Sequence, residues 1–285
     1  MSEEGRYLYC AVAVPDGPAR RTLDVEGIDG DPVSLLADDG VGVVVHERAE
    51  QYDSEDAVAV QRWLLAHQRV IDAVGQEFGT PLPFRFDTLL AGDDDDVFAW
   101  LADERETLAE HLADLADHWE YRIEVRRDPE AFEAAIVEAD PELAALHERV
   151  ESAGGGTAHL LEKQYEGKLR EAKRAHGDDR TEELLDRVRP HAREVRALSR
   201  RPQTGGLVER ESDAVTLARL AMLATEDGAS AAGEELDEVA ADPGVEVRYT
   251  GPWPPYTFAP AIGEEGEEGE ESEGDTERGD PDGAA

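Results

Sequence analysis

Few stretches of this chain have residue types that could do chemistry. Gly92-Asp-Asp-Asp-Asp96 gathers four carboxylates, the oxygen-rich setting of a calcium loop. It lacks the alternating ligand positions and the closing bidentate Glu of an EF-hand. It reads instead as an acidic helix start, where carboxylates meet the positive end of the helix dipole. Gly154-Gly-Gly-Thr157 has glycines enough for a phosphate cradle. No strand pattern leads into it and no Gly-Lys-Ser/Thr follows, so a Gly-rich break with Thr157 capping a helix is the simpler reading. His111 and His118 stand seven positions apart at a helix end, with Asp114 on a different face, which leaves a metal short of ligands. Cys10 is the single cysteine and lies in the apolar run Tyr7-Leu-Tyr-Cys-Ala-Val12, as a buried, inert thiol would. His46 reads as a polar strand end, and His67, alone on an apolar helix face, as a hydrogen-bonded core histidine. There is no Gly-x-Ser-x-Gly, no dinucleotide fingerprint and no basic nucleic-acid stripe. The expectation is a non-enzyme with no catalytic, cofactor or metal residue to assign.

The run with the most local character is Tyr249-Thr-Gly-Pro-Trp-Pro-Pro-Tyr-Thr-Phe258. Gly251-Pro252 forces a turn, and Pro252, Pro254 and Pro255 cannot donate backbone hydrogen bonds. Trp253 and Tyr256 therefore ride on a stiff, extended segment that loses little entropy on docking. Two uses follow: an aromatic clamp on the protein's own sheet, or two aromatics presented to a partner. A second run, Pro81-Leu-Pro-Phe-Arg-Phe-Asp-Thr88, begins with prolines suited to a strand entry or edge. Strand alternation would put Phe84 and Phe86 on one face and Arg85 on the other, either ion-paired within the chain or at an interface.

Apolar periodicity predicts strands at 7–14, 41–46, 81–88, 119–125 and 245–250, with a short candidate at 205–210. Residues 33–37 look irregular. Asp53-Ser-Glu-Asp56 precedes a helix whose apolar face runs through Val60, Leu64, His67, Ile71, Val74 and Phe78. A second helix spans 97–117. Further helices start at Pro129 and Pro141 and run over 157–176, from 180 with a kink at Pro190, over 213–223 and over 234–241.

Charge is the largest global signal: 68 Asp+Glu against 28 Lys+Arg, a formal net of −40, with lysine only at Lys163, Lys168 and Lys173. Such an excess repels nucleic acid in dilute salt. In molar salt the Debye length falls to roughly 3 Å and the repulsion is screened, so the surface reads as that of a halophile's protein, charged for solvation. Residues 263–285 carry eleven acids and one base, with almost nothing apolar to offset the entropy of ordering, and are expected to form a disordered, solubilising tail. No apolar run reaches the length of a membrane span, and the acidic start lacks a signal-peptide pattern, so a cytoplasmic protein is expected.

Together, Tyr7-Leu-Tyr9, the Pro81–Thr88 run and Gly251-Pro-Trp-Pro-Pro-Tyr-Thr-Phe258 resemble the GvpL/GvpF family of gas vesicle proteins, most of all its haloarchaeal members, over about 6–261. Gly156-Thr-Ala-His-Leu-Leu-Glu-Lys163 is also similar to a family segment. Asp87 stands where many members have Gly. The resemblance implies an α+β fold of two domains, each a small, mostly antiparallel sheet with helices packed on it, the second ferredoxin-like with an added helical segment. We place them at 1–117 and 118–262, followed by the tail. It also implies a non-enzymatic accessory role in gas vesicle assembly, with the shell protein and other accessory gas vesicle proteins as partners and neither nucleic acid nor membrane. Phe84, Arg85, Phe86, Trp253, Pro254, Pro255 and Tyr256 are the candidate partner-binding or interdomain residues. The alternative is a ligand-sensing module with a small-molecule site between two domains.

Overall fold

The computed structural model describes residues 4–15, 17, 19–154, 156–200 and 214–260. Its N-terminal part holds β1 (Gly5–Ala13), β2 (Arg20–Glu26), β3 (Pro32–Asp38), β4 (Val41–Glu47), α1 (Ala57–Phe78), β5 (Leu82–Pro83), β6 (Leu89–Ala91) and α2 (Asp94–Leu115). The sheet runs β2-β3-β4-β1-β5, with β6 also on β1, and each of these pairings is antiparallel. β1 is apolar almost throughout because the sheet is covered on both faces. Leu8 and Ala11 face α2, whereas Tyr7, Tyr9, Cys10 and Val12 face α1. The register shift between Leu8 and Cys10 puts two successive side chains, Tyr9 and Cys10, on the α1 side.

Local chemistry sets the helix starts. The Asp56 side chain accepts from Val58 N and opens α1. Asp93 and Asp96 form a reciprocal capping box at α2, so the four-aspartate run is a helix start. Arg6 Nε donates to Asp94 at 2.7 Å, and Arg20 pairs with the same carboxylate.

The C-terminal part holds β7 (Trp119–Arg127), α3 (Pro129–Ala139), α4 (Pro141–Ser152), α5 (Gly156–Val188), β8 (Glu194–Ala197), β9 (Val215–Ala224), α6 (Glu226–Ala240) and β10 (Val245–Trp253). The order β10-β7-β9-β8, antiparallel throughout, is the ferredoxin-like split βαβ arrangement. Three helices, α3 to α5, take the place of its first crossover helix. One sheet face packs on the helices through Tyr121, Ile123, Val125, Ala218, Leu220 and Met222. The α2 core continues into Ala221 and Leu223 on the other face. The fold is thus α+β, with two antiparallel sheets.

Several sequence expectations are corrected. Val215–Ala224 is a strand and not a helix: this central strand has apolar cover on both faces, which erases the alternation that marks strands. Residues 33–37 belong to β3, and β2 precedes it. α5 is continuous through Gly177-Asp-Asp179 and stops at Val188. Pro190 lies in a 3-10 turn just beyond, and Val195 is on β8. α6 begins at Glu226, capped by Thr225, eight residues before its expected start. The N-terminal sheet has helices packed on it as expected, α1 on one face and α2 on the other. The strand candidate at 205–210, the tail and Gly155 lie outside the described residues.

Candidate functional site: a strap between the sheets and the face it borders

β10 alternates Val245, Val247 and Tyr249 toward the helices with Glu246, Arg248 and Thr250 away from them. At its end Gly251 has φ +138°, and a Cβ there would meet Tyr121 Cδ1 at 2.7 Å and the Glu120 carbonyl oxygen at 2.8 Å. Only glycine lets the chain pass this close. Trp253 pairs with Glu120 across β7 and remains 41% exposed, its indole N–H 3.5 Å from Thr250 Oγ1.

The residues after Trp253 turn inward. Pro254 and Pro255 are buried. Tyr256 packs on the Tyr7–Tyr9–Cys10 cluster beside α1, and burial pushes its phenol well above the usual range. Phe258 joins the α2 core. The segment is therefore a strap from the C-terminal sheet to both cores of the N-terminal part. Glu120, fully buried, holds it: the carboxylate accepts from Thr257 N at 2.7 Å, Thr257 Oγ1 at 2.8 Å and Arg122 Nε at 2.9 Å. Arg196 donates to the Thr257 carbonyl and lies over the Phe258 ring at 4.9 Å. Sequence reasoning missed Glu120 because nothing marks one carboxylate among 68 acids. On β7 it falls in the polar set with Arg122, Glu124 and Arg126, so alternation gives it no mark either.

Phe84 and Phe86 do not share a face. The strand ends at Pro83 and the chain turns at Phe86 and Asp87, so strand alternation does not extend over them. Phe84 is buried against Trp100 of α2, with its N–H on the Tyr9 carbonyl at 2.9 Å. Phe86 lies on the α1 side, edge-on to Tyr7 and His67. Arg85 is exposed between them. Asp87 has φ +70°, a conformation natural to the Gly of the family pattern, and its carboxylate accepts from Tyr52 N at 2.9 Å.

The candidate chemical groups are structural in their surroundings. His67 Nδ1 meets the Tyr7 hydroxyl at 2.8 Å, and His46 Nε2 meets the Tyr52 hydroxyl at 3.2 Å. Burial pushes both imidazoles down to about 4. His46 is therefore neutral at pH 7, and its approach to Asp31 at 3.8 Å is no ion pair. Burial raises the Cys10 thiol far above the thiolate range. His118 Nδ1 contacts the Ala116 carbonyl oxygen at 2.7 Å. Among the described residues no cluster of three or more His, Cys, Asp or Glu could hold a metal, and no helix is long and apolar enough to cross a membrane.

Beside Trp253 the outer face of the C-terminal sheet alternates in charge. By register Arg122 stands opposite Thr250, Glu124 opposite Arg248 and Arg126 opposite Glu246. Trp253 and Thr250, with Arg122 opposite Thr250 and bonded to Glu120, thus form an accessible aromatic corner beside charge-paired residues, chemistry suited to contact with another surface.

These features define a two-sheet α+β protein whose ferredoxin-like part is strapped to its N-terminal part by an aromatic–proline run. Residues 5–260 match the family model described as "Gas vesicle synthesis protein GvpL/GvpF", and the chain belongs to that family. It is 45% identical to gas vesicle protein L2 of Halobacterium salinarum, covering 91% of this chain and 92% of that one. It is 42% identical to gas vesicle protein L of Haloferax mediterranei, covering 91% and 89%. The fold matches the crystal structure of GvpF from Anabaena with a TM-score of 0.69 at 22% identity, over 91% of this chain and 99% of that one. GvpF from Microcystis aeruginosa gives a TM-score of 0.59, also at 22% identity, over 90% and 99%. Membership supports a role in gas vesicle formation.

Proposed function

We propose that this protein is a non-enzymatic accessory factor of gas vesicle assembly, an adaptor or scaffold that binds the shell protein and other accessory gas vesicle proteins early in vesicle formation. It works in the cytoplasm and associates with nascent vesicles. The observation that carries the reading is the contrast within the strap: Pro254, Pro255, Tyr256 and Phe258 are turned into the protein, whereas Trp253 is left 41% exposed at the end of β10. Tryptophan is among the residue types enriched in binding hot spots. We assign partner contact to Trp253, and support of the strap and cores to Phe84, Phe86, Pro254, Pro255 and Tyr256.

The ligand-sensing alternative is less well supported. Tyr256 and Phe258 occupy the junction where a small molecule between two domains would sit. A groove of about 670 Å³ lies elsewhere, lined by Pro129, Val137, His147 and Tyr165 of α3, α4 and α5.

Capture by the tagged full-length protein in multimolar KCl, after co-expression with the shell protein and each accessory protein in turn, tests the proposal. Capture of soluble shell protein identifies a chaperone-like adaptor. Capture of accessory proteins alone identifies a scaffold. Capture of neither by well-folded protein overturns the proposal.

A further inference from the structure

The C-terminal sheet ends on an open strand. β10 is the first strand in the order β10-β7-β9-β8, and among the described residues it pairs with β7 alone. Asp128 N donates to the Gly244 carbonyl at 3.1 Å, which fixes the residues of β10 that bond to β7. Bonded pairs alternate in an antiparallel ladder, so Gly244, Glu246, Arg248 and Thr250 turn their backbone groups to β7. Val245, Val247 and Tyr249 turn theirs outward. The Val245 N–H is taken by the Asp242 carbonyl at 3.1 Å. The Val245 carbonyl and the N–H and C=O of Val247 and Tyr249 have no protein partner among the described residues.

Strand edges are normally blunted by short length, lysine, proline or a bulge. Residues 245–250 contain neither lysine nor proline, and their register with β7 is unbroken up to Thr250. The opposite edge strand, β8, is four residues long. In the N-terminal sheet the edge strand β2 is interrupted by a register shift between Thr22 and Glu26. Apolar cover also runs out at β10. Tyr121, Ile123 and Val125 of β7 are buried on the helix side, whereas Val245, Val247 and Tyr249 on that side are half-buried. Glu246 and Arg248, on the other side, are exposed and make no ion pair or side-chain hydrogen bond among the described residues.

We infer that β10 pairs antiparallel with β10 of a second copy of this chain, about a two-fold axis through Val247, so that two four-stranded sheets become one. The strand is self-complementary in that register. The two Val247 residues exchange N–H···O bonds, and each Tyr249 N–H donates to the facing Val245 carbonyl, which leaves the Val245–Asp242 turn intact. On the helix side each Tyr249 faces Val245 of the other copy, an aromatic–β-branched pair. On the other side each Glu246 faces Arg248. An axis through Glu246 or Arg248 would instead set like charges opposite each other. Charge thus selects the register, while backbone bonds and apolar burial supply the affinity. Molar salt leaves apolar burial intact and screens the repulsion between two chains of net −40. The paired segment leaves Trp253 outside it, and the inference stands independently of the assembly-factor reading.

Light scattering on the full chain in multimolar KCl, over a range of concentrations, should show a species of twice the chain mass. A mass of one chain at every concentration overturns the inference, whether or not another protein takes the edge. Cysteine pairing tests the register. Glu246→Cys and Arg248→Cys together place thiols of the two copies on facing residues with Cα atoms about 4.5 Å apart, within disulfide reach. Either substitution alone places them on diagonal residues about 7–8 Å apart, beyond it. Cys10 is buried and does not compete. Under mild oxidation the double variant should become a covalent dimer and neither single variant should. Cross-linking of a single variant to the same extent, or none in a double variant of unchanged melting temperature, overturns the inference. If the double variant misfolds, the wild-type mass decides alone.

Discussion

At the scale of single residues, buried polar groups hold the molecule together. Glu120 is the strongest case, since it takes two hydrogen bonds from Thr257 with no exposure to water. Glu120→Leu should cost about 3 kcal/mol, because the Thr257 N–H loses a charged acceptor in a buried setting. A urea melt checks this, and an unchanged midpoint would remove Glu120 from the account. His46 and His67 make a second case. Both have folded-state pKa values pushed down to about 4, against 6.5 for a free imidazole. Below pH 6.5 the unfolded chain therefore binds protons that the folded chain refuses. Stability should fall as pH drops from about 6.5 to about 4, by up to about 1.4 kcal/mol per pH unit for each histidine. His67→Gln should flatten that slope, measured as denaturation midpoints across this window; an identical slope would mean that His67 titrates normally.

Among the elements, the strap separates two aromatics that the sequence presented as a pair. Tyr256→Ala removes a ring packed on the Tyr7–Tyr9–Cys10 cluster and should destabilise by about 3 kcal/mol. Gly251→Ala should cost about 2 kcal/mol or more, since its Cβ would meet Tyr121 and the Glu120 carbonyl. Thermal melts check both, and wild-type stability in either variant would mean that the strap is not seated this way. What was legible in the sequence follows the same physics. α1 and α2 each bury one stripe and expose the other, so their apolar periods and acidic caps stood out. β7 is apolar on one face only, and its alternation was visible. β9 was not legible, because it is buried on both faces and built largely of Ala and Leu, which also form helices. The proline–aromatic run marked the strap, but only the fold distinguishes half-buried, inward-turned Tyr256 from exposed Trp253. Alternation misplaced Phe84 and Phe86 because the strand it assumed is two residues long.

For the whole molecule, a net charge of −40 makes the uncharged and cationic areas informative. Acid is the default surface, and solvation in salt explains it without a partner. The corner around Trp253 departs from that default with an exposed aromatic side chain, and we take it as a candidate binding surface. Family membership supplies the process, gas vesicle formation, and this corner supplies a candidate contact. The central claim is that the protein acts by holding partners, with Trp253 as a point of contact. Its most direct test is partner capture by Trp253→Ala in multimolar KCl, with the melting temperature recorded on the same sample. The account predicts that capture falls by about tenfold or more while the melting temperature stays at the wild-type value. Full capture by a variant of unchanged stability would contradict it.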